Sequence, residues 1–152
     1  MEFKKVSGEK IENVVEYIKS YISNDYNFEI YVGTDSKVMK NKVMYAIVIG
    51  IYKIGKGVHL IYRKETRENI SFFDRLWWEV EYSLGVANLL RDEGILTNQN
   101  LFAIHIDMNT NKKYKSNKVL DAASGYVKSS GFDFRAKPNA WIATYAADML
   151  CK

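Results

Sequence analysis

Four acidic residues stand at positions where a carboxylate needs a reason. Asp35 closes the run Tyr-Val-Gly-Thr-Asp-Ser and Asp107 the run Ile-His-Ile-Asp-Met-Asn, each at the expected end of a strand. Glu79 lies between Trp78 and Val80, and Asp148 among Ala146, Ala147 and Met149. A charged group set in apolar surface needs a partner, and a metal ion is one. If the two strands are parallel neighbours, Asp35 and Asp107 meet in the crevice where open α/β sheets usually bind ligands. Several oxygen ligands are what a pair of Mg2+ or Mn2+ ions about 3.5–4 Å apart requires, with sites left for water and phosphate. One ion then activates the attacking water while the other stabilises the leaving oxygen. Without metal, the acids repel one another, which raises carboxylate pKa values and costs stability.

Each acid also has a plainer reading. Asp35 before Ser36, and Asp107 before Asn109, are ordinary turn or capping residues. Glu79 has a neighbour, Glu81, and either can be simply solvated; Asp148 can be surface decoration. What is specific is the joint placement, not any one residue.

Candidate substrate-binding residues surround these acids: Ser36, Asn109, Lys112, Lys113, Lys115, Ser116 and Lys137. The lysines, with Lys118 and Tyr114 among them, follow Asp107 and suit neutralisation of phosphates, and Ser116 or Asn117 can bind one at a helix N-terminus. The alternative is a solvated basic loop. Lys137 precedes the only proline and either reaches phosphate or shapes the turn. Arg63, Lys64 and Arg67 make a second basic run, or an exposed strand end. Phe72, Phe73, Trp77 and Trp78 can stack bases, although aromatics this dense on a central helix more often pack a core. By the period of two, His105 shares a strand face with Asp107 and either lines the site or packs.

The elements that must position these residues follow from periodicity. Residues 9–22 set Ile11, Val14, Val15, Ile18 and Ile22 at helical spacing, and Asn24-Asp25 ends that helix. Three strands are expected at 28–34, 43–52 and 58–64, joined by short polar or glycine-bearing loops as in an antiparallel meander. From Ser71 a long helix puts Leu76, Val80, Leu84, Ala87 and Leu90 on one face, with Gly94 as its cap. The apolar run 101–106 reads as a strand buried on both faces. A helix at 116–128, a strand at 132–136, a turn at Lys137-Pro138-Asn139 and a helix at 140–150 complete the chain. The expectation is one α/β domain over 1–152: a mixed five-stranded sheet ordered β-β-β-α-β-α-β-α, preceded by a helical extension at 1–27.

Length and composition agree. The 152 residues suffice for a core without disulfides, and 47% hydrophobic against 26% charged residues with one proline describe a chain that folds. A single cysteine, Cys151, excludes an internal disulfide framework and fits a reducing, cytoplasmic compartment. No apolar run is long enough for a membrane span, and Met-Glu-Phe-Lys-Lys lacks the apolar core of a signal peptide. The net charge of +4 and pI near 9.0 mildly favour a polyanionic partner.

Taken together, the words Val-Gly-Thr-Asp-Ser, Arg-Leu-Trp-Trp-Glu-Val, Ile-Asp-Met-Asn, Gly-Tyr-Val-Lys-Ser-Ser-Gly-Phe and Lys-Pro-Asn-Ala resemble a small bacterial family classed as ribonuclease H-like. The resemblance runs from about Phe28 to the end. In that superfamily the acids come from the first strand, the first long helix, the end of the fourth strand and a late helix, which here are Asp35, Glu79, Asp107 and Asp148. It implies a ribonuclease H-like fold and metal-dependent hydrolysis of phosphodiester bonds in RNA, DNA or a hybrid, leaving a 5′-phosphate and a 3′-hydroxyl. One departure stands out: ribonuclease H proper often has a histidine in a loop before the last acid, and none follows His105. The alternatives are a non-catalytic nucleic-acid-binding or partner-adaptor module on the same fold, and an interaction domain using the leading helix that would bind no metal.

Overall fold

The computed structural model describes residues 2–23, 27–68, 70–96 and 101–151. Strands β1 (Phe3–Lys5) and β2 (Lys10–Ile11) precede helix α1 (Val14–Tyr21). The long strands β3 (Phe28–Met39), β4 (Lys42–Lys53) and β5 (Gly57–Glu68) form a meander, followed by α2 (Phe72–Asp92) and β6 (Leu101–Asn109). A short 3-10 helix (Lys115–Val119), α3 (Leu120–Ser129), β7 (Asp133–Lys137), a π-helical segment (Ile142–Ala147) and one α-helical turn, α4 (Asp148–Leu150), finish the chain.

The mixed α/β architecture is as expected, but the sheet has seven strands rather than five, in the order β2-β1-β5-β4-β3-β6-β7. The two additional strands come from the segment expected to be only helical. Phe3 pairs with Ile11, and Lys4 with both Lys10 and Tyr62, so β1 extends the sheet beyond β5. Helix α1 is correspondingly shorter than 9–22, and starts where the Asn13 side chain accepts the Glu16 N–H. The Asn24-Asp25 stop lies outside the described residues.

Two adjacent pairings set up the functional edge. β3 runs antiparallel to β4 along its whole length, but parallel to β6 only as far as Thr34 opposite Ile106. Asp35 and Asp107 are the next residue on each strand. Asp35 is therefore not at a strand end, as expected, but at the point where β3 leaves β6 and continues as one arm of a hairpin.

The core lies on both faces of the sheet. α1 and α2 cover one face through Ile18, Val86 and Leu90 against Ile30, Val32, Ile47 and Ile49. α2 and α3 share Leu76, Val80, Ala123 and Val127 with Ile104, Ile106 and Met108 of β6. The opposite face is covered by the terminal segment, where Ile142, Ala146 and Ala147 meet Tyr31, Val48 and Ala103. Close approach there depends on two glycines. A Cβ on Gly33 would stand 2.8 Å from Ile142 Cγ2 and 2.9 Å from the Ala143 backbone nitrogen, and one on Gly50 would meet the end of the Ile142 side chain. α2 ends as its sequence predicts: Gly94, at φ +74°, lets its own N–H reach the Arg91 carbonyl and the Ile95 N–H reach that of Leu90. Among the described residues no helix is long and apolar enough to cross a membrane.

Candidate metal centre

Glu79 is the most constrained acid. It lies on the sheet-facing side of α2, 3% exposed, whereas Glu81 is exposed, so the two neighbours separate cleanly into one buried and one solvated carboxylate. Ser36 donates a 2.5 Å hydrogen bond to Glu79 Oε1, while Oε2 is buried without a partner among the described residues. One residue pair back, the Thr34 and Ser83 hydroxyls are 2.8 Å apart, fixing the height of α2 over β3. Burial pushes the Glu79 carboxyl well above the usual carboxylate range, and the charges of Asp35 and Asp107 push it further.

Side chains alternate along β3, so Ser36 turns to α2 and Asp35 to the terminal helix. Cys151 donates its thiol to the Asp35 carbonyl at 3.2 Å, and Asp148 lies within hydrogen-bonding reach of the Asp35 carboxyl. Asp35 is raised to about 7, first by burial and then by the neighbouring charge of Asp107, with a smaller contribution from Asp148. Asp107 is held from two sides: Lys137 Nζ is 2.9 Å from Oδ1, and Thr144 donates to the same oxygen at 3.2 Å. That ion pair raises the Lys137 pKa.

The four acids expected from sequence are thus brought to one edge, three of them partly or fully buried and Asp148 exposed. Their all-oxygen chemistry fits a hard divalent cation, and the unpartnered, buried Glu79 Oε2 is a donor such an ion could use. Among the described residues, no three His, Cys, Asp or Glu side chains converge tightly enough to hold one ion as they stand. Lys137 supplies positive charge at Asp107.

The surrounding candidates separate. Lys112, Lys113 and Lys115 are exposed, Lys115 lying over the Phe72 ring at 4.6 Å. Ser116 and Asn109 are both occupied: Ser116 Oγ accepts the Asn109 N–H at 3.1 Å, the Asn117 amide donates to the Asn109 carbonyl at 2.9 Å, and Asn109 Oδ1 accepts the Asn111 N–H at 3.0 Å. The helix expected to start at Ser116 begins instead as a 3-10 turn, with α3 starting at Leu120, so these side chains brace the strand end rather than crown a helix N-terminus. The second basic run is not simply an exposed strand end. The Arg63 side chain is 11% exposed and bonds Glu65, and Arg67 lies 3.2 Å from the centre of the Trp78 ring. Trp77, Trp78 and Phe72 pack against the cores. His105 packs as well: fully buried, it accepts the Ile142 N–H at Nδ1 (3.1 Å), and burial lowers it to about 3, so it stays neutral.

Sequence reasoning missed Thr144 and the thiol of Cys151. Thr144 sits four residues before Asp148, one helical turn, and that spacing was the available signal. Nothing in the sequence marks the thiol contact.

A search of curated proteins finds no match to the chain. A family model described as Ribonuclease H-like matches residues 9–152, taking in every strand of the site and all four acids. On a match of that extent, the chain belongs to the ribonuclease H-like family.

Proposed function

We propose that the protein is a divalent-metal-dependent nuclease, hydrolysing phosphodiester bonds of nucleic acid as one domain of 1–152 in the cytoplasm. The observation that carries this reading is Glu79: a fully buried carboxylate with one oxygen on Ser36 and the other unpartnered, beside Asp35 and Asp107. Asp35, Glu79, Asp107 and Asp148 are the residues that would hold Mg2+ or Mn2+. When bound, such ions activate water and stabilise the leaving oxygen. The chain's own groups do the rest. Ser36 orients Glu79, Thr144 orients Asp107, and the seam between Gly33 and Ile142 holds the terminal helix at the distance that brings Asp148 to Asp35. Lys112, Lys113, Lys115 and Lys137 place positive charge where phosphates would lie.

Lys137 must exchange Asp107 for phosphate in this account. Lys137→Met is therefore expected to tighten Mn2+ binding by roughly two- to five-fold, the worth of a partly exposed ion pair, and to weaken cleavage. Calorimetric titration checks the first effect, and Lys137→Arg should restore wild-type affinity. The function itself is tested with labelled single- and double-stranded RNA and DNA, a hybrid and a junction, each with Mg2+ or Mn2+. Metal-dependent cutting supports the nuclease. Intact substrates, bound but uncut by folded protein, would support the non-catalytic module.

A further inference from the structure

Beyond Asp35 this face of the sheet is exposed among the described residues. The terminal helix covers that face at Gly33 and Gly50, and its Cys151 meets the Asp35 carbonyl. The next residues of β3 on that side are Lys37 and Met39. Register places Ala46 and Lys64 beside Asp35, Met44 and Thr66 beside Lys37, and Lys42 and Glu68 beside Met39. Lys37, Lys42, Lys64 and Thr66 are exposed, Met39 is 51% exposed and Met44 half-buried. Three lysines thus share this face with Glu68 at the far rim, while Glu2, which lines a cleft with Lys4 and Lys64, is paired with Lys10 at 3.2 Å.

The spacing is ordered as well as the charge. Alternate residues of a strand lie ~7 Å apart, so Lys37 stands about 7 Å and Met39 about 13 Å beyond Asp35, with Lys64 about 10 Å to the side across two strand spacings. Lys40 holds the hairpin tip at φ 58°, a conformation cheaper for glycine or asparagine, and Asn41 is the next residue. The tip therefore keeps another cation at a cost of backbone strain.

We propose that this face is a track for one strand of nucleic acid leaving the carboxylates, its phosphates held by Lys37, Lys42 and Lys64 and its sugars and bases lying on Met39 and Met44. The choice of nucleic acid over an acidic protein rests on the nuclease reading. The track reads no sequence, because its polar contacts are cationic and its apolar ones are flexible methionines.

The test is anisotropy of a labelled 20-nucleotide RNA and DNA strand in EDTA, with the triple variant Lys37→Gln, Lys42→Gln, Lys64→Gln and a control triple Lys19→Gln, Lys56→Gln, Lys128→Gln. The track variant should bind at least about ten-fold more weakly, with a salt slope shallower by about 2, the value for three lost contacts to a single strand. The control should change less than about two-fold. Acetylation of the wild-type protein gives a reading independent of mutant folding: bound strand should protect Lys37, Lys42 and Lys64. Equal binding by the track variant and wild type, or no protection, overturns the track. Protection and lost binding in a protein that cuts nothing with any metal would keep the track and overturn the nuclease.

Discussion

Asp35→Asn is expected to lower metal-dependent cleavage on the order of 10³-fold, as for one member of a set that acts as a unit, while making the metal-free protein more stable at pH 8. The two effects have one cause. Asp35 titrates near 7 in the folded protein, against an ordinary value of 3.8. Between those values the folded state binds more protons than the unfolded state, so this group's contribution to stability is fully present below about pH 4 and is lost as pH rises through 7. The slope reaches about 1.4 kcal/mol per pH unit at most, and Glu79 moves the same way. Below about pH 4 asparagine should change little, and at pH 5 the penalty on the wild-type carboxylate is only partly developed, so the advantage of the variant should be smaller there than at pH 8. At pH 8 the variant should melt higher by roughly 4–8 °C, the equivalent of about 2 kcal/mol in a chain of this size. Thermal melts of both proteins from pH 5 to 8 in EDTA check this; a constant difference, or a less stable variant at pH 8, would remove the electrostatic cause.

Gly33→Ala is expected to cost about 1–3 kcal/mol, as overpacking does, and to impair cleavage from a position outside the acid cluster. The added methyl would meet the backbone nitrogen of Ala143 at 2.9 Å and its Cα at 3.2 Å. Backbone must therefore shift, and the segment that shifts carries Ile142, whose N–H binds His105, then Thr144 and Asp148. Gly50→Ala is the control: its methyl meets side-chain atoms and no backbone, the end of Ile142 and, at 3.4 Å, Leu60 Cδ2, which can move without shifting the chain. The melting temperature should fall further for Gly33→Ala than for Gly50→Ala, and Mn2+ affinity should fall only for Gly33→Ala. Equal effects on both would show that the seam does not position the acids.

How much was legible in the sequence depended on the range of the interactions. The meander, the long helix with its Gly94 cap, and β6 are local patterns of period two or 3.6, and all were readable. The four acids were readable as a set because their order along the elements is distinctive, although Asp35 was placed at a strand end. That error has a physical source: β3 continues to Met39 because β4 pairs it there, and pairing is not written in residues 36–39 themselves. β1 and β2 were missed for the same reason, since three residues such as Phe3-Lys4-Lys5 become a strand only because β5 offers an edge. In the terminal helix, Ile142–Ala147 widens to π geometry against the two glycines, a long-range fit that composition hides. The Lys137–Asp107 ion pair was equally invisible, joining two strands through a parallel pairing with a register shift.

Whether these carboxylates hold divalent metal is decided by a melt of the wild type at pH 8 with increasing Mn2+. A saturating rise in melting temperature is expected, about 2.7 kcal/mol of added stability at a hundred times the dissociation constant, and it is absent in Glu79→Gln. A folded wild-type protein whose melting temperature does not move at millimolar Mn2+ or Mg2+ would contradict metal binding by these carboxylates.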